Sequence, residues 1–454
     1  MTKRSLFGTD GIRGRANVFP MTCEVALALG RAVTYYFQSK KDNKIPLIII
    51  GKDTRLSCYT LEQAFASGVC SQGGQAILTG PLPTPGVAFV TQSMRADAGV
   101  MISASHNYFH DNGIKIFDDK GHKLPDEVEA KLEYLVLNPD QIPLKIDKEL
   151  GRAKRLEEVY GRYIVFAKSV FNPSFGLEDM RIVLDCANGA GYKVAPMIFQ
   201  ELGAEVINLG INPNGVNINE DCGVMHPNNC AIEVQKYRAD LGICLDGDAD
   251  RVLFIDEKGK VVHGDKLLGL FARFFKDQGL LRAGDEIVGT VMSNLGLENY
   301  LTEKLGLGFH RTKVGDRYIL DRIRESGSLI GGEPSGHVVF SLWATTGDGI
   351  ISGLKAIEAM KFYGLPLSEL VNEVELFPQK TVNIPVKSRP ALESLPVLQA
   401  KLKECEEKLG HSGRIVLRYS GTEPKLRLMV EANSVELMEE MICCLTLAIE
   451  ESIP

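Results

Sequence analysis

The sequence predicts an α/β protein of several domains that ends in a smaller α+β module. Short β-branched runs alternate with longer helical stretches, which is typical of βαβ units with mostly parallel sheets. A chain of 454 residues is too long for one hydrophobic core and predicts three or four domains. The tail differs from the rest, because two helical runs flank a short strand pattern there.

The predicted elements fall into three groups along the chain, followed by the tail. In chain order, the expected strands cover residues 45–50, 76–79, 98–102, 181–184, 205–208, 242–245, 286–291, 309–312, 328–330 and 414–418. A helix is expected over 59–72, and the tail is expected to contain helices over 391–409 and 435–451. Proline-containing breaks at 138–143 and 377–390 set off the first and last regions.

The overall charge and the cysteines argue against several classes of protein. A formal net charge of -7 disfavours a nucleic-acid binder that works by bulk electrostatics, but a locally basic cleft could still bind anionic small molecules. The ten cysteines form no C-x-x-C pair, so we expect reduced, mostly buried thiols. We expect no signal peptide, and the aliphatic runs are too short to cross a membrane. The chain is therefore expected to be cytoplasmic, with no nucleic-acid or membrane partner.

The most informative stretch, 99–117, places two serines and a histidine directly after a predicted buried strand. Ser103, Ser105, His106 and Asn107 form a small polar turn at the end of that strand. In α/β proteins such a turn can hold a nucleophile rigidly in a cleft. An ordinary polar turn fits the same residues, so the rest of the chain has to decide between the two interpretations.

Three aspartates follow another predicted strand at alternate positions, namely Asp246, Asp248 and Asp250. Carboxylates this close repel one another unless a cation lies between them, and an all-oxygen site suits Mg²⁺ or Ca²⁺. An EF-hand is the main competitor, with Glu257 at its spacing, but Arg251 stands where that loop needs glycine. A haloacid-type phosphatase needs threonine or valine where this chain has Asp250, and an acidic surface turn is the remaining alternative.

Two further loops suggest recognition of a phosphorylated sugar. In the glycine-rich loop 331–337, Glu333, Ser335 and His337 could clasp adjacent sugar hydroxyls. Residues 418–427 combine hydroxyls, exposed amides and guanidiniums in a pattern that suits a phosphate, although a charged hairpin is the alternative. The candidate phosphate-binding residues in that second loop are Arg418, Ser420, Gly421, Thr422 and Arg427.

Basic residues recur beside polar turns in the other motifs. They are Arg13, Lys52, Arg55, Lys313 and Arg317. Taken singly, each is expected to be a solvated surface charge. Taken with a cation site, a serine turn and a phosphate loop, they indicate phosphoryl transfer on a sugar, which relies on positioning and on neutralising the charge of the transferred group.

These motifs, in this order, resemble the α-D-phosphohexomutase family over essentially the whole chain. The motifs at 7–14, 215–219, 313–318 and 345–349 bring the sequence closest to the branch that acts on glucosamine phosphates. The resemblance implies three mixed α/β domains plus a smaller C-terminal α+β domain around a central cleft. The implied domains are a phosphoserine domain (1–150), a metal-binding domain (151–256), a sugar-binding domain (257–374) and a phosphate-binding domain (375–454).

The resemblance also implies roles for individual residues. Ser105 would carry the transferred phosphate, Lys115 would assist proton transfer, and His106 would support the serine instead of acting as a base. The implied catalytic residues are Ser105, Lys115, Arg13, His106 and Arg251. The implied metal is Mg²⁺, with the ligands Ser105, Asp246, Asp248 and Asp250. The implied substrate-binding residues are Glu333, Ser335, His337, Arg418, Ser420, Gly421, Thr422 and Arg427.

The activity implied by the resemblance is the interconversion of glucosamine 6-phosphate and glucosamine 1-phosphate through a phosphoserine and a 1,6-bisphosphate. This reaction would feed the synthesis of UDP-N-acetylglucosamine and cell-wall precursors, and the small last domain would close over the phosphorylated amino sugar as a lid. The alternatives are a mutase for mannose or glucose phosphates and a non-catalytic phosphosugar-binding regulator. A homodimer stays open as the assembly.

Three positions depart from the family pattern. Tyr108 stands where proline usually follows the catalytic turn, which would loosen that turn. Ala249 replaces a glycine in the aspartate loop, a tolerable change unless the position needs a positive φ. Pro334 would stiffen the sugar loop.

Overall fold

The computed structural model describes residues 6–8, 10–40, 44–156, 158–419 and 425–453. Over these ranges the chain forms four consecutive units, whose sheets contain seven, five, four and three strands. The first three units mix parallel and antiparallel strands with helices, and the last is an antiparallel sheet with two long helices. The predicted fold class is confirmed.

The first unit places the end of its fifth strand near the middle of a seven-stranded sheet. Its strands are β1 (Phe7–Gly8), β2 (Gly11–Arg15), β3 (Leu47–Lys52), β4 (Gln75–Pro81), β5 (Ala98–Ile102), β6 (Asp111–Phe117) and β7 (Arg152–Arg155), in the order β1-β2-β6-β5-β3-β4-β7. Its helices are α1 (Cys23–Lys40), α2 (Leu56–Ser71), α3 (Thr84–Ser93) and α4 (Asp126–Leu137). Strand β5 runs parallel to β3 and antiparallel to β6, and every residue of β5 is buried.

The second unit ends its central strand at the aspartate loop. Its helices are α5 (Val159–Val170), α6 (Val194–Glu201) and α7 (Asn228–Tyr237). Its strands are β8 (Arg181–Asp185), β9 (Glu205–Leu209), β10 (Leu241–Leu245), β11 (Val252–Ile255) and β12 (Val261–Val262), in the order β12-β11-β10-β8-β9. Strands β10 and β11 are antiparallel neighbours, so residues 246–251 form the loop between them.

The third unit carries the sugar loop between two adjacent antiparallel strands. Its strands are β13 (Glu286–Thr290), β14 (Gly308–Thr312), β15 (Ile330–Gly332) and β16 (Val338–Phe340), in the order β14-β13-β15-β16. Its helices are α8 (Gly264–Asp277), α9 (Leu295–Asn299), α10 (Asp316–Ser326), α11 (Gly349–Tyr363) and α12 (Leu367–Leu370). Of the predicted loop 331–337, residues 331–332 lie in β15 and residues 333–337 join β15 to β16.

The fourth unit is a three-stranded antiparallel sheet covered by helices. It consists of β17 (Gln379–Pro385), α13 (Pro396–Leu409), β18 (Gly413–Tyr419), β19 (Lys425–Ala432) and α14 (Val435–Ser452), with the strand order β17-β19-β18. Among the described residues, its apolar core is built from residues of its own, with the buried strand residues Leu426, Leu428 and Val430 in the same cluster as Leu445 of α14.

The first three units share one buried apolar cluster, and each also has a separate cluster of its own. One buried cluster includes Met101 of the first sheet, Ile182 of the second, and Phe271 of the third unit. The first sheet extends a few residues beyond position 150, because β7 pairs with β4, and β12 extends the second sheet beyond position 256. The domain limits given above therefore stay a prediction. Among the described helices, none combines the length and the hydropathy needed to cross a membrane.

Candidate active site

The predicted catalytic turn, residues 103–108, begins where β5 ends, and Ser105 is buried within it. Ser105 has φ 53, a left-handed conformation that costs a non-glycine residue about 1–2 kcal/mol. Its amide donates to Ser103 Oγ at 2.9 Å, and its own Oγ donates to Asp246 Oδ2 at 2.5 Å. The turn therefore presents the Ser105 hydroxyl directly to the aspartate loop of the second unit.

The aspartate loop gathers three buried carboxylates. Asp246, Asp248 and Asp250 each offer an oxygen, and these oxygens all lie within 4.8 Å of one another. Within the described part of the chain, Oδ1 of Asp248 and Oδ1 of Asp250 are buried without a hydrogen-bond partner, a costly state for carboxylate oxygens. An all-oxygen set with acceptors left over fits a hard divalent cation. The EF-hand alternative is wrong, because β11 follows the loop at once and Glu257 bonds Ser368 instead.

Burial and mutual repulsion act differently on two of these carboxyl groups. Burial raises the pKa of Asp246 well above its ordinary value, and the negative charges of Asp250 and Asp248 raise it further. Burial also opposes ionisation of Asp248, but Lys115 outweighs it and holds the pKa of Asp248 below its ordinary value. Additional positive charge in the loop would therefore favour the ionised form of Asp246.

Ala249 meets the condition under which its substitution for glycine matters. It is buried and has φ 57, so an alanine here carries the strain that glycine would avoid. The neighbouring Gly247 is required by space, because a Cβ there would lie 2.5 Å from the Ser105 carbonyl oxygen. The aspartate loop thus packs directly on the backbone of the catalytic turn.

Lys115, on β6, enters the aspartate loop from the first unit. Its Nζ lies 2.8 Å from Asp248 Oδ2, 3.0 Å from Asp250 Oδ2 and 3.5 Å from Asp10 Oδ2. Burial opposes its charge, but the three carboxylates, beginning with Asp10, raise the pKa of Lys115 well above its ordinary value. Lys115 is therefore a cation held against the aspartate loop and Asp10.

Two arginines and a neutral histidine complete this side of the site. Arg13, on β2, is ion-paired to Asp10, and Arg251 Nη1 lies 3.2 Å from His106 Nδ1. Burial, with Arg251 and Arg13 nearby, lowers the pKa of His106 to about 4. A neutral imidazole 3.4 Å from Ser105 Oγ matches a supporting residue.

A cleft of about 790 Å³ brings residues of the first three units together. Among the residues that line it are Arg13, Ser105, Arg251, Glu333 and His337. The ends of strands from different sheets thus open into one space, which is a common position for a site that binds a small molecule.

The sugar loop 333–337 is held in place at its two ends. Glu333 Oε1 accepts from the Gly315 amide at 3.0 Å, and Ser335 Oγ lies 3.4 Å from Glu333 Oε2. The buried ring of His337 has Nδ1 4.0 Å from Asp250 Oδ1 and Nε2 3.9 Å from Asp316 Oδ2. His337 therefore joins the sugar loop to the aspartate loop.

The C-terminal hairpin presents two arginines to each other. Arg418 on β18 is the direct cross-strand partner of Arg427 on β19, and like charges at such positions repel. Partial burial and the charge of Arg427 lower the pKa of Arg418. Ser420, Gly421 and Thr422 lie outside the described residues. The two arginines give the hairpin the charge that a phosphate group would neutralise.

Two of the basic residues expected on the surface are buried, so that prediction is wrong for Lys52 and Arg55. Lys52 Nζ pairs with Glu62 Oε2 at 2.8 Å, and Arg55 Nε pairs with Asp53 Oδ2 at 2.8 Å. The carboxylate partner lies ten residues from Lys52 and two residues from Arg55 in sequence. Charged side chains are rarely buried without such a partner, and that spacing was the signal that could have identified them.

Asp10 and Lys123 are further residues of the site that the motifs did not single out. Lys123 Nζ binds both Asp10 and Asp316, so it connects the first unit to the third beside the cleft. Burial opposes ionisation of Asp10, but Lys115, Lys123 and Arg13 hold its pKa well below the ordinary value. Asp10 belongs to the motif 7–14, which offered a sequence signal, whereas Lys123 belongs to none of the motifs.

Tyr108, the residue expected to loosen the turn, is held at both ends. Its carbonyl accepts from Arg55 Nη1 at 2.5 Å, and its hydroxyl lies 3.3 Å from His226 Nε2 of the second unit. The substitution therefore adds a contact between the first two units and leaves the turn anchored.

Comparison with protein families covers most of the chain. Four models of phosphoglucomutase/phosphomannomutase domains match in order: domain I at residues 4–142, domain II at 161–259, domain III at 263–377 and the C-terminal domain at 382–442.

Curated relatives match over nearly the full length. A phosphoglucosamine mutase of Syntrophus aciditrophicus is 52% identical over 433 residues, which are 95% of this chain and 95% of that protein. One of Bdellovibrio bacteriovorus is 49% identical over 433 residues, with 94% of each chain covered.

Solved structures share the fold at lower identity. A phosphoglucomutase/phosphomannomutase family protein of Burkholderia thailandensis has a TM-score of 0.83 at 22% identity, covering 100% of this chain and 98% of that one. An Aspergillus fumigatus N-acetylphosphoglucosamine mutase in complex with GlcNAc-6P and magnesium has a TM-score of 0.70 at 18% identity, with 100% and 96% covered.

Proposed function

Because this chain belongs to the phosphoglucomutase/phosphomannomutase family, we propose that it acts as a phosphoglucosamine mutase. The reaction interconverts glucosamine 6-phosphate and glucosamine 1-phosphate through a phosphoserine and glucosamine 1,6-bisphosphate. The observation that carries the proposal is the contact of 2.5 Å between Ser105 Oγ and Asp246 Oδ2, inside a group of three buried carboxylates that opens on the cleft.

Each half-reaction moves one phosphoryl group between Ser105 and the sugar. In the first, the bond from phosphorus to Ser105 Oγ breaks and a bond to the sugar O1 forms, so the sugar hydroxyl loses a proton and Ser105 Oγ gains one. After the bisphosphate turns in the cleft, its 6-phosphoryl group passes to Ser105. The sugar leaves as the 1-phosphate, and the phosphoserine is restored.

The charged residues around Ser105 have complementary tasks in this proposal. Lys115, kept cationic by its carboxylates, gives a proton to the departing oxygen and takes one from the attacking hydroxyl, so it ends each transfer protonated. Arg13 and Arg251 on the cleft wall stabilise the charge of the transferring group. His106, neutral near pH 7, supports Ser105 without acting as its base.

We propose Mg²⁺ as the metal of the aspartate loop. Asp246, Asp248 and Asp250 would hold it with an oxygen of the Ser105 phosphate, and the magnesium in the Aspergillus fumigatus complex supports the assignment. When bound, the ion neutralises charge on the phosphoryl group.

The two ends of the substrate are assigned to different loops. Glu333, Ser335 and His337 bind the sugar hydroxyls, and the C-terminal hairpin binds the phosphate that is not being transferred. The hairpin residues in this proposal are Arg418, Ser420, Gly421, Thr422 and Arg427. A hairpin that binds a symmetric phosphate by charge can accept either end of the bisphosphate, which the turning of the intermediate requires.

The substrate assignment has a direct kinetic test against its alternatives. We expect kcat/KM for glucosamine 6-phosphate to exceed the values for mannose 6-phosphate and glucose 6-phosphate by about 10-fold or more, since polar groups that match one substrate reject its analogues. A higher value for mannose or glucose phosphate favours the alternative mutase. Absence of turnover with all three, and of phosphate on Ser105, favours a non-catalytic phosphosugar-binding regulator.

Two further proposals concern the cell. We propose a cytoplasmic location, supported by the ten cysteines, all of which are free thiols. The homodimer stays a prediction.

A further inference from the structure

Two sequence motifs, 52–55 and 215–219, have no part in the proposed chemistry, yet the structure brings both to the catalytic turn. Arg55 comes from the first unit and Asn219 from the second, and both are buried. Their side chains reach the same two carbonyl oxygens of the turn. We propose that Arg55 and Asn219 are positioning residues that clamp the turn from two domains and fix Ser105 Oγ against the aspartate loop.

Arg55 supplies the first half of the clamp. Its Nη2 donates to the Ser105 carbonyl at 2.9 Å and to the Asn107 carbonyl at 2.9 Å, and its Nη1 donates to the Tyr108 carbonyl at 2.5 Å. A planar guanidinium can bind several acceptors in one fixed geometry, which a lysine cannot do. Three carbonyls within four residues are therefore held by one side chain.

Asn219 supplies the second half from the other domain. Its Nδ2 donates to the Ser105 carbonyl at 2.9 Å and to the Asn107 carbonyl at 2.8 Å. Carbonyl oxygens only accept, so the amide nitrogen has to face them. Its Oδ1 is buried without a hydrogen-bond partner among the described residues, and its backbone has φ 58. This strained position, with one acceptor unsatisfied, serves the contact with the catalytic turn.

Both clamp residues are fixed from behind. Asp53 accepts from Arg55 Nε at 2.8 Å and from the Arg55 amide at 2.9 Å, so the buried guanidinium keeps its charge balanced. The backbone amide of Asn219 donates to the Ala187 carbonyl at 3.0 Å. The clamp therefore has a rigid support in each domain.

Two hydrogen bonds at or next to these motifs also join the first two units beside the clamp. Thr54 Oγ1 donates to the Asn188 carbonyl at 2.5 Å, and the Leu56 amide donates to the Gly215 carbonyl at 2.8 Å. Gly247 of the aspartate loop packs so closely on the Ser105 carbonyl that a Cβ would lie 2.5 Å from it. One carbonyl oxygen is thus the point where the catalytic turn, the motif at 215–219 and the aspartate loop meet.

The role follows from what the clamp holds and what it does not touch. Ser105 is in a left-handed conformation, which persists only when its surroundings enforce it. Phosphoryl transfer depends on placing the nucleophile within fractions of an ångström, so loss of a clamp residue misplaces Ser105 Oγ. Because neither side chain lines the cleft, substrate affinity is unaffected and the chemical step slows.

The test uses the full-length enzyme and two substitutions at position 219. Asn219→Asp keeps the size but replaces the donor, and Asn219→Gly removes the donor without adding charge while accepting the left-handed backbone. We expect each to lower kcat by about 10-fold to 100-fold and to change KM by less than about threefold. Asn217→Asp is the matched control, because Asn217 lies in the same loop and its side chain, among the described residues, bonds only Asn212 and Asn214, so kcat should stay within about twofold.

Arg55→Lys tests the other half of the clamp. It keeps the positive charge but loses the fork, so kcat should again fall with KM little changed. The double variant Arg55→Lys with Asn219→Gly should be less impaired than the product of the single effects, because both residues hold the same carbonyls. Circular dichroism and thermal melting confirm that each variant is folded. A folded Asn219→Gly enzyme with kcat within about twofold of the unmodified enzyme overturns the proposal, as does a rise in KM at constant kcat.

The inference rests on the proposed function, and the two can fail separately. If the unmodified chain prefers another hexose phosphate, only the substrate assignment fails, and the same kcat ratios are measured with that substrate. If it turns over none, the mutase assignment fails. The clamp is then judged by how fast Ser105 takes phosphate from glucose 1,6-bisphosphate in unmodified and variant chains. An unmodified chain that also takes up no phosphate overturns both.

Discussion

The first three units and the fourth unit hold their share of the site in different ways. A continuous buried core runs through the first three units, whereas the fourth has a separate core of its own. The fourth is tied to the third by polar contacts, in which Arg414 of β18 donates to the Val291 carbonyl at 2.9 Å and Glu431 of β19 accepts from the Leu295 amide at 3.2 Å. The residues around Ser105 thus belong to units that share a buried cluster, whereas the C-terminal hairpin belongs to a unit with a separate core.

The two regions also differ in how their charged side chains are paired. Around Ser105, Lys115 is matched by Asp10, Asp248 and Asp250 before any substrate arrives. On the hairpin, Arg418 faces Arg427, and no carboxylate in the described part of the chain forms an ion pair with Arg418. Under the proposed function, the charges around Ser105 are paired before the substrate binds, whereas Arg418 would gain its balancing charge from the phosphate of the substrate. A separate core also suits the lid expected of the last domain.

Removing the nucleophile should have the largest effect of any change in the molecule. Ser105→Ala leaves the carboxylates and the cleft in place, so turnover should fall by at least about 1,000-fold while the folded structure persists. A coupled assay for glucosamine 1-phosphate measures the loss. Ser103→Ala is the control, since it removes only the hydrogen bond to the Ser105 amide and should cost about 10-fold or less. Near-normal turnover of Ser105→Ala with label on Ser103 would place the nucleophile there.

Removal of divalent cations tests whether the region around Ser105 depends on a metal. Burial and the neighbouring negative charges oppose ionisation of Asp246 unless positive charge is added. Chelation should therefore abolish turnover and lower the melting temperature. Mg²⁺ at about 100 times its dissociation constant should restore about 2.7 kcal/mol of stability. Asp248→Asn is expected to lose most of this stabilisation. Full turnover in a chelator would remove the metal from the account.

Substitution on the hairpin should weaken binding more than chemistry. Arg418→Ala removes a charge-assisted contact to phosphate worth about 1.5–3 kcal/mol, so KM should rise by roughly 10-fold to 100-fold with a smaller change in kcat. Lys403→Ala, on the exposed face of α13, changes the net charge of the same unit equally and should leave KM unaffected. If Arg418→Ala lowered kcat with KM unchanged, the hairpin would act in the chemical step, and the proposed difference between it and the residues around Ser105 would be wrong.

The smallest expected effect concerns stability where the third and fourth units meet. Asp265 is buried beside Asn294, which bonds Phe377, and burial raises the pKa of Asp265 from its ordinary 3.8 to about 7. A carboxyl group whose pKa is raised by folding contributes stability below about pH 4 and loses it as pH rises towards 7. Asp265→Asn cannot lose a proton, so it should be more stable than the unmodified chain by a few kcal/mol at pH 8 and by less at pH 5. Thermal melts at the two pH values measure the difference, and a gain that is larger at pH 5 would contradict the pKa shift.

Local pattern was sufficient for much of this architecture. The strand before Ser105, the aspartate loop and the sugar loop between two strands were predicted correctly, because each depends on periodicity or on spacing within a few residues. Lys123 could not be predicted, since its partners Asp10 and Asp316 lie 113 and 193 residues away. Asn219 lies 114 residues from the carbonyl it holds. Contacts between domains carry no short-range signal, and here they do the positioning.

The central claim is that Ser105 carries the phosphate that moves. The direct measurement is a peptide map by mass spectrometry of the full-length protein after treatment with glucose 1,6-bisphosphate and Mg²⁺, before and after addition of glucosamine 6-phosphate. We predict one added phosphoryl group on the peptide containing Ser105, and the loss of that group as glucosamine 1,6-bisphosphate forms. Phosphate on Ser103, or a Ser105 phosphate that the sugar never removes, would contradict it.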